Sequence, residues 1–155
     1  MSTLVLPFID ANITVNQIIA IFEDIATNHA QINSFAYGQA YDIDAQTIVN
    51  PPLLWVWVQP SKMGERTITY VFRAWIMDIV NAEGTGTQQD EVQSDTSSIL
   101  WDIAVLLRDT YDMQVNFPID ITPFTEAFNS RFSGWFADYT IEVPRQFGAC
   151  DAPQK

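Results

Sequence analysis

Few residues in this chain have the types and spacing that catalysis requires. His29 is the only histidine, so a Ser-His-Asp set is possible only if His29 serves in it, and no nucleophile elbow is present. Its position near the end of the first predicted helix favours a contact at that helix terminus. The stretch Gly84-Thr85-Gly86-Thr87 is rich in glycine but lacks the lysine and the preceding pattern of a phosphate-binding loop.

Carboxylates are the other candidate groups. Asp42-Ile43-Asp44 matches the start of a calcium loop, but the ligand spacing does not continue. Asp90, Glu91 and Asp95 cluster near the start of a predicted helix, where a solvated first turn explains them. No spacing among the 19 acids selects the facing pair that a glycosidase needs. The sequence therefore gives no positive argument for an enzyme, a metal site or a cofactor.

Composition limits the classes of partner. The net charge of −12, with 19 acids against 7 bases, argues against binding nucleic acid through its phosphates. It is compatible with a passage through which DNA slides without sticking, and with acidity that serves solubility alone. Hydrophobic residues make up 48% and charged residues 17%, below the roughly 25% charged residues of ordinary domains. An apolar, charge-poor chain is typical of a subunit of an assembly.

The compartment is predicted from three features. Cys150 is the only cysteine, so no intramolecular disulfide is expected. No apolar run reaches the roughly 18 residues of a membrane span. The segment 1–6 lacks the basic region of a secretory signal, and we therefore expect the protein to be made in a cytosol and to contact no membrane.

The stretch from Pro51 to Val80 predicts a long β-hairpin. Its first strand, Leu53 to Val58, is bounded by Pro60, and Ser61 to Glu65 has turn composition. Its second strand, Arg66 to Val80, would span roughly 50 Å, and such a strand is expected to extend beyond its own domain at one end. The first strand is apolar on both faces, whereas a strand in a sheet that is buried on one side only should alternate apolar and polar residues. Both faces therefore need cover, which suggests a subunit that packs against copies of itself.

Two helices are predicted. A capping box of Thr14 and Gln17 begins the first, which should end between Asn28 and Ala30. The second begins near Thr87 as its cap and ends near Tyr111, with Asp90 and Glu91 in its first turn. Its apolar stripe consists of Val92, Thr96, Ile99, Leu100, Ile103, Leu106 and Leu107.

Other segments complete the sheet. Ser34 to Asp44 and Trp135 to Val143 are predicted strands. Val115 to Ile121 is a further candidate strand, which Pro118 confines to a sheet edge or a bulge. Thr122 to Gly134 is predicted to be either one short helix or a packed loop, on the basis of phenylalanines at intervals of four: Phe124, Phe128 and Phe132.

The order α-β-β-β-α-β-β predicts an α+β fold with a single, mostly antiparallel sheet, a long β-hairpin and two main helices packed on one face. Residues 1–155 are predicted to form one domain, with 1–13 as an extended lead-in and 145–155 as a C-terminal tail. The candidate subunit-interface residues all lie in the hairpin: Trp55, Trp57, Trp75 and Met77.

The C-terminal third resembles the tail terminator, or tail-completion and neck, proteins of long-tailed bacteriophages. The resemblance extends over residues 35–150 in element order and is tightest over residues 90–150. The residues that carry it are Asp90-Glu91-Val92-Gln93-Ser94-Asp95-Thr96, Ile99-Leu100, Ile103, Pro123-Phe124-Thr125-Glu126-Ala127-Phe128, Gly134-Trp135-Phe136-Ala137-Asp138-Tyr139-Thr140-Ile141-Glu142-Val143-Pro144 and Cys150. These motifs are not catalytic signatures.

The resemblance implies a virion subunit, assembled in the host cytoplasm, that forms a hexameric ring capping the tail tube and meeting the neck. It implies no active site and no cofactor. The implied partners are copies of the chain and the neighbouring tail-tube and neck proteins, while DNA passes without specific binding. If the ring lumen is acidic, the candidate lumen or ring-contact acids are Asp42, Asp44, Glu83, Asp90 and Glu91.

Three alternatives to a tail terminator stay open, and one of them is an enzyme of unknown substrate. The general architecture is shared by other head-tail connector, neck and tail-tube subunits. A small, non-enzymatic protein-binding module that uses an exposed aromatic surface would have a similar composition.

Overall fold

The computed structural model describes residues 13–38, 52–79, 86–127 and 132–144. Within these ranges the chain has an α+β fold with a mixed, mostly antiparallel sheet, as predicted. Residues 1–12, 39–51 and 145–155, which contain most of the predicted lead-in, the end of the first predicted strand and the predicted tail, lie outside them. The elements in chain order are α1 (Val15–Asn28), β1 (Ser34–Tyr37), β2 (Leu53–Met63), β3 (Thr67–Ile79), α2 (Gly86–Asp109), β4 (Gln114–Val115), β5 (Ile121–Ala127) and β6 (Phe132–Pro144).

Strand β3 lies in the middle of the sheet, whose order is β1-β2-β3-β6-β4. The β1–β2 pair is parallel, and the other pairs are antiparallel. Strands β4 and β5 share the outer edge of β6, with Gln114 opposite Glu142 and Ile121 opposite Ala137. Each long strand therefore has a different neighbour on each side. The β3–β6 pair lies at the centre of the sheet, and the other strands are positioned by pairing with it.

Helix α1 begins at the predicted capping box. Oγ1 of Thr14 accepts from the backbone amide of Gln17 at 3.3 Å, and Oε1 of Gln17 accepts from the amide of Thr14 at 2.8 Å. Two amide groups at the helix start are thereby satisfied. Ile13 and Ile18 on either side of the cap are both buried, so the first turn is anchored to the core.

Helix α2 begins at Gly86, earlier than predicted. Thr87 consequently lies inside the helix, and Asp90 and Glu91 lie in its second turn, where the helix dipole no longer favours them. The predicted apolar stripe is correct, because Val92, Ile99, Leu100, Ile103 and Leu107 are buried and Leu106 packs against the same core. The buried hydroxyl of Thr96 donates to the carbonyl of Val92 at 2.8 Å, which satisfies it inside the helix.

Both helices pack on the same face of the sheet, as predicted. Phe22 of α1 lies with its ring centroid 5.6 Å from Phe72 and 6.0 Å from Tyr139. The Tyr139 hydroxyl donates to the backbone carbonyl of Leu100 in α2 at 2.7 Å. Nine strand residues of this core are at most 1% exposed: Leu54, Val56, Phe72, Ala74, Ile76, Ala137, Tyr139, Ile141 and Val143.

Strand β2 does not end before Pro60, as the proline had suggested, but continues to Met63. The pairing register shifts between Gln59 and Lys62, and a proline is tolerated at such a bulge because no ladder hydrogen bond is required of it. Oγ of Ser61 accepts from the backbone amide of Val71 at 3.1 Å. A side chain thus replaces a backbone acceptor at the bulge.

The predictions for residues 115–134 were partly wrong. The strand predicted over Val115 to Ile121 is divided into β4 and β5, with exposed residues at Phe117 and Pro118 between them. The predicted short helix or loop after it begins instead as strand β5, in which Phe124 packs against Trp75. Pro123 is compatible with this strand because β5 pairs only with β6 and lies at the sheet edge.

The long second strand of the hairpin has no unpaired end. Every residue of β3 has a partner in β6, from Thr67 opposite Pro144 to Ile79 opposite Phe132. The part of the hairpin that lacks cover is its tip, where each residue from Pro60 to Thr67 is exposed. The second strand was expected to extend beyond its own domain, but β3 is paired along its whole length. The only part of the described hairpin in which consecutive residues are all exposed is its tip.

We predict that Gly134→Ala strongly destabilises the protein. A Cβ atom at Gly134 would overlap the backbone carbonyl oxygen of Ile76 on the neighbouring strand. Since backbone atoms can move only by separating β3 from β6, we expect a loss of about 3 kcal/mol or more. Urea unfolding followed by tryptophan fluorescence would measure it.

Gly64→Ala is the matched control. A Cβ atom at Gly64 would lie 3.3 Å from the carbonyl oxygen of Thr67, in the exposed hairpin tip. We expect a change within about 1 kcal/mol there. Equal losses in the two variants would contradict close packing of β3 and β6 at Gly134.

We also predict that stability falls above pH 10. Burial raises the pKa of Tyr139 above its ordinary value of 10.0. The unfolded state therefore loses the phenol proton at a lower pH than the folded state, so the stabilisation is present below pH 10 and is lost as the pH rises further, by about 1.4 kcal/mol per pH unit. Tyr139→Phe should lose about 1 kcal/mol at neutral pH with its hydrogen bond, and its stability should depend less on pH above 10. An unchanged pH dependence in unfolding titrations would contradict this assignment.

Candidate subunit interface

The face of the sheet opposite α1 and α2, here called the open face, carries large aromatic residues. Because side chains alternate along a strand, Trp55 and Trp57 of β2 point to the same side. In the register, Trp55 lies opposite Trp75, which in turn lies opposite Phe136 of β6. One row of side chains across three strands is therefore aromatic.

At one end of the open face the subunit buries its own second core. Leu53, Trp55 and Met77 are at most 1% exposed and pack with Ala36, Trp75 and Phe124. The indole Nε1 of Trp55 donates to the carbonyl of Gly38 at 2.7 Å. Trp55 and Met77, two of the four predicted interface residues, are thus buried inside the subunit, where they pack beneath the partly exposed Trp75.

Next to this second core, Trp57 and Trp75 are only partly buried. Trp75 stacks on Trp55 with ring centroids 5.2 Å apart, and its ring lies 4.5 Å from that of Phe136. Trp57 lies 5.2 Å from the ring of Tyr37, and partial burial raises the pKa of that phenol. Trp57, Trp75 and Phe136, with Arg73 and Asp138 beside them, are called the aromatic band below.

An ion pair lies within the aromatic band. Nε of Arg73 is 2.8 Å from Oδ1 of Asp138, and Nη2 is 3.2 Å from Oδ2. The guanidinium carbon lies 4.6 Å from the centre of the Phe136 ring, within cation–π range. These hydrogen bonds raise the pKa of Arg73, against the lowering effect of partial burial. The band therefore carries a neutralised pair in an apolar setting, and both side chains are about a third exposed, at 33% and 32%.

The candidate acids lie elsewhere. Asp42, Asp44 and Glu83 lie outside the described residues, as does the side chain of Asp90. Glu91 is exposed on α2, on the opposite side of the sheet from the aromatic band. The described structure thus separates Glu91 from the aromatic interface candidates.

Several exposed or interface-type residues were not predicted. Arg73, Phe136 and Asp138 join the tryptophans only through the pairing of β3 with β6, which one strand's pattern does not specify. Trp101 is 66% exposed on α2, and three further hydrophobic residues are also well exposed: Met63 (81%), Phe117 (47%) and Ile121 (45%). Trp101 was detectable from the sequence, because it falls outside the apolar stripe of α2.

The only histidine makes the helix-terminus contact expected of it. His29 is the C-cap of α1, its Nε2 lies 2.9 Å from Oδ2 of Asp102 in α2, and its Nδ1 accepts from the backbone amide of Gln31 at 3.1 Å. The ring thereby links the two helices. In the part of the chain that the structure describes, no three His, Cys, Asp or Glu residues are grouped to hold a metal ion. Its helices are also too short or too polar to cross a membrane.

No protein-family model matches this chain, and a search of curated proteins finds no significant match. The function is accordingly inferred from the chain's own surfaces. Among these, the aromatic band combines large partly exposed rings with Arg73, whose charge Asp138 neutralises. Tryptophan, phenylalanine and arginine are enriched at protein interfaces.

We predict that Arg73→Met weakens the subunit slightly by itself. The substitution keeps an aliphatic chain over Phe136 but leaves the Asp138 carboxylate unpaired. Allowing for solvent screening of this partly exposed pair, we expect a loss of about 1 kcal/mol that shrinks at about 1 M salt. Arg108→Met is the control, because the Arg108–Asp109 pair is exposed on both sides and its loss should not change the urea midpoint. A larger loss of stability in Arg108→Met than in Arg73→Met would contradict this prediction.

Proposed function

We propose that this chain is a structural virion protein: a subunit of a ring, expected to be hexameric, that terminates the tube of a bacteriophage tail and joins it to the neck. The observation that carries the proposal is the aromatic band. Its rings are partly exposed and lie side by side on one face of the sheet, and an apolar patch of this kind on a protein surface supports a contact with another protein. A protein of a permanent assembly keeps such a surface because it is covered after assembly.

The charge of the chain supports a ring with a central passage for DNA. The chain carries a net charge of −12, and a passage wall lined by some of its acids would repel phosphates over about 8 Å at physiological salt and leave the duplex free to slide. The candidate lumen or ring-contact acids are still those predicted from the sequence, and Glu91 is the one with an exposed, described side chain. The proposed role is structural and needs no catalytic group, metal or cofactor.

Two other functions compete with this one. Another head-tail connector, neck or tail-tube subunit would also bury the aromatic band against a copy of the chain. A small protein-binding module would bury it against an unrelated protein, and the isolated exposed Trp101 fits that use as well. The two classes differ in self-association, since only a ring subunit forms multimers of defined size alone or on purified tails.

We predict that Trp57→Ala prevents assembly while leaving the subunit folded. Because Trp57 is only partly buried, its removal should cost less than the roughly 3 kcal/mol or more of a fully buried tryptophan. Mass measured by light scattering over a wide range of concentration would report assembly, and electron microscopy of the multimers would show whether they are rings.

Val58→Ala is the matched control. Val58 is the next residue of β2 and packs against the helix-covered core. Its truncation should cost about 1 kcal/mol of stability and leave assembly unchanged. The ring proposal fails if the wild-type chain stays monomeric at all concentrations and does not bind purified tails that lack their terminator.

A further inference from the structure

The tip of the β2–β3 hairpin carries two cations, Lys62 and Arg66, and one acid, Glu65, on a protein whose net charge is −12. Lys62 and Arg66 are both exposed, and neither makes an ion pair within the described ranges. The other two cations in those ranges are paired, Arg73 with Asp138 and Arg108 with Asp109. The unpaired cations of the described structure are therefore concentrated at this tip, together with Met63, whose side chain is 81% exposed.

The outward face of α2 presents the complementary surface. Trp101 is two residues from both Ile99 and Ile103, which are buried, so it lies roughly 200° around the helix from each. It consequently points away from the core, and the residue is 66% exposed. An exposed tryptophan in mid-helix is costly to leave in water and is a common anchor of protein contacts.

A row of acids follows one side of Trp101. Residues four and seven apart share a helix face, and this spacing aligns Glu91, Asp95, Asp102 and Asp109. Asp102 is 46% exposed beside His29 and Asp109 is 59% exposed beside Arg108. Glu91 and Asp95 are exposed and have no ion-pair partner in the described ranges. The free carboxylates thus lie on the N-terminal side of Trp101.

The two surfaces do not satisfy each other within one subunit, because the side chains of both are exposed there. Their chemistry fits: two cations and a thioether face two carboxylates and an indole. A methionine sulfur packs favourably on an aromatic ring, and opposite charges across an interface set its register. A contact between two different patches is heterologous, and it closes into a ring if the rotation allows.

We propose that the hairpin tip of one copy, with Lys62, Met63 and Arg66, docks on the outward face of α2 of the next copy, at Trp101, Glu91 and Asp95. This contact rests on the self-assembly proposed above and names one of its interfaces. It is distinct from the aromatic band, which lies on the open face of the sheet.

Charge reversal tests the contact in the full chain. Lys62→Glu with Arg66→Glu alters the tip, and Glu91→Lys with Asp95→Lys alters the helix. Each double variant alone should require about tenfold or more protein for half-assembly. Mixing the two should restore assembly, since each variant's altered patch then meets the other's altered patch. Glu23→Lys with Asp120→Lys, two exposed acids elsewhere, matches the net charge of the helix variant and should not change assembly.

Cysteine cross-linking tests the same pairing directly. In a Cys150→Ser background, Met63→Cys and Trp101→Cys should form disulfide-linked dimers only when mixed. Chains that carry both substitutions should give a ladder of larger multimers. Dimers from Met63→Cys alone would show that tips meet tips and would overturn the proposal.

The outcomes separate the two proposals. If the wild-type chain assembles but charge reversal has no effect, or mixing does not rescue it, the tip–helix contact is wrong and the ring proposal stands. If the wild-type chain does not assemble on its own or on tails and Met63→Cys with Trp101→Cys gives no cross-link, both are wrong.

Discussion

The antiparallel pairing of β3 with β6 is the constraint on which the rest of the structure depends. It extends over the whole of β3, and it decides which side chains meet on each face. On one side it brings Phe72 opposite Tyr139 under the helices, and on the other Trp75 opposite Phe136. A slip by one residue would exchange the two faces and place Arg73 in the helix-covered core. Gly134 strengthens this register, because only glycine lets the two backbones approach so closely there.

Local signals in the sequence were sufficient wherever one element decides its own structure. The capping box at Thr14 and the stripe of α2 were predicted correctly, and so was the strand from Trp135 to Val143, which lies within β6. The two-faced apolar run of β2 correctly indicated cover on both sides, since the four residues from Leu53 to Val56 are all buried. What it did not indicate is that the subunit supplies much of that cover itself, through its second core.

Predictions failed where long-range pairing overrode a local signal. Pro60 predicts the end of a strand, but β2 continues past it. The bulge between Gln59 and Lys62 and the Ser61 hydroxyl, which accepts from the amide of Val71, accommodate the proline. The spacing of Phe124, Phe128 and Phe132 at intervals of four is typical of a helix, although Phe124 belongs to an edge strand and packs on Trp75. The tryptophans of the candidate interface were likewise found in the sequence, but their degree of burial was not. Trp55 and Trp57 share a residue type and a sheet face, and Trp55 is buried because of its neighbours in the second core, whereas Trp57 is only partly buried.

The arrangement of the two proposed contacts has a consequence for assembly. If the aromatic band met the same band on another copy, the contact would be self-complementary and would close as a dimer. A ring with more than two subunits needs a contact between unlike surfaces. The hairpin tip and the outward face of α2 are unlike in charge and shape, and they are available together on every copy. The direction of a ring would therefore be set by the tip–helix contact, while the aromatic band would add a second contact between copies by meeting a surface other than itself.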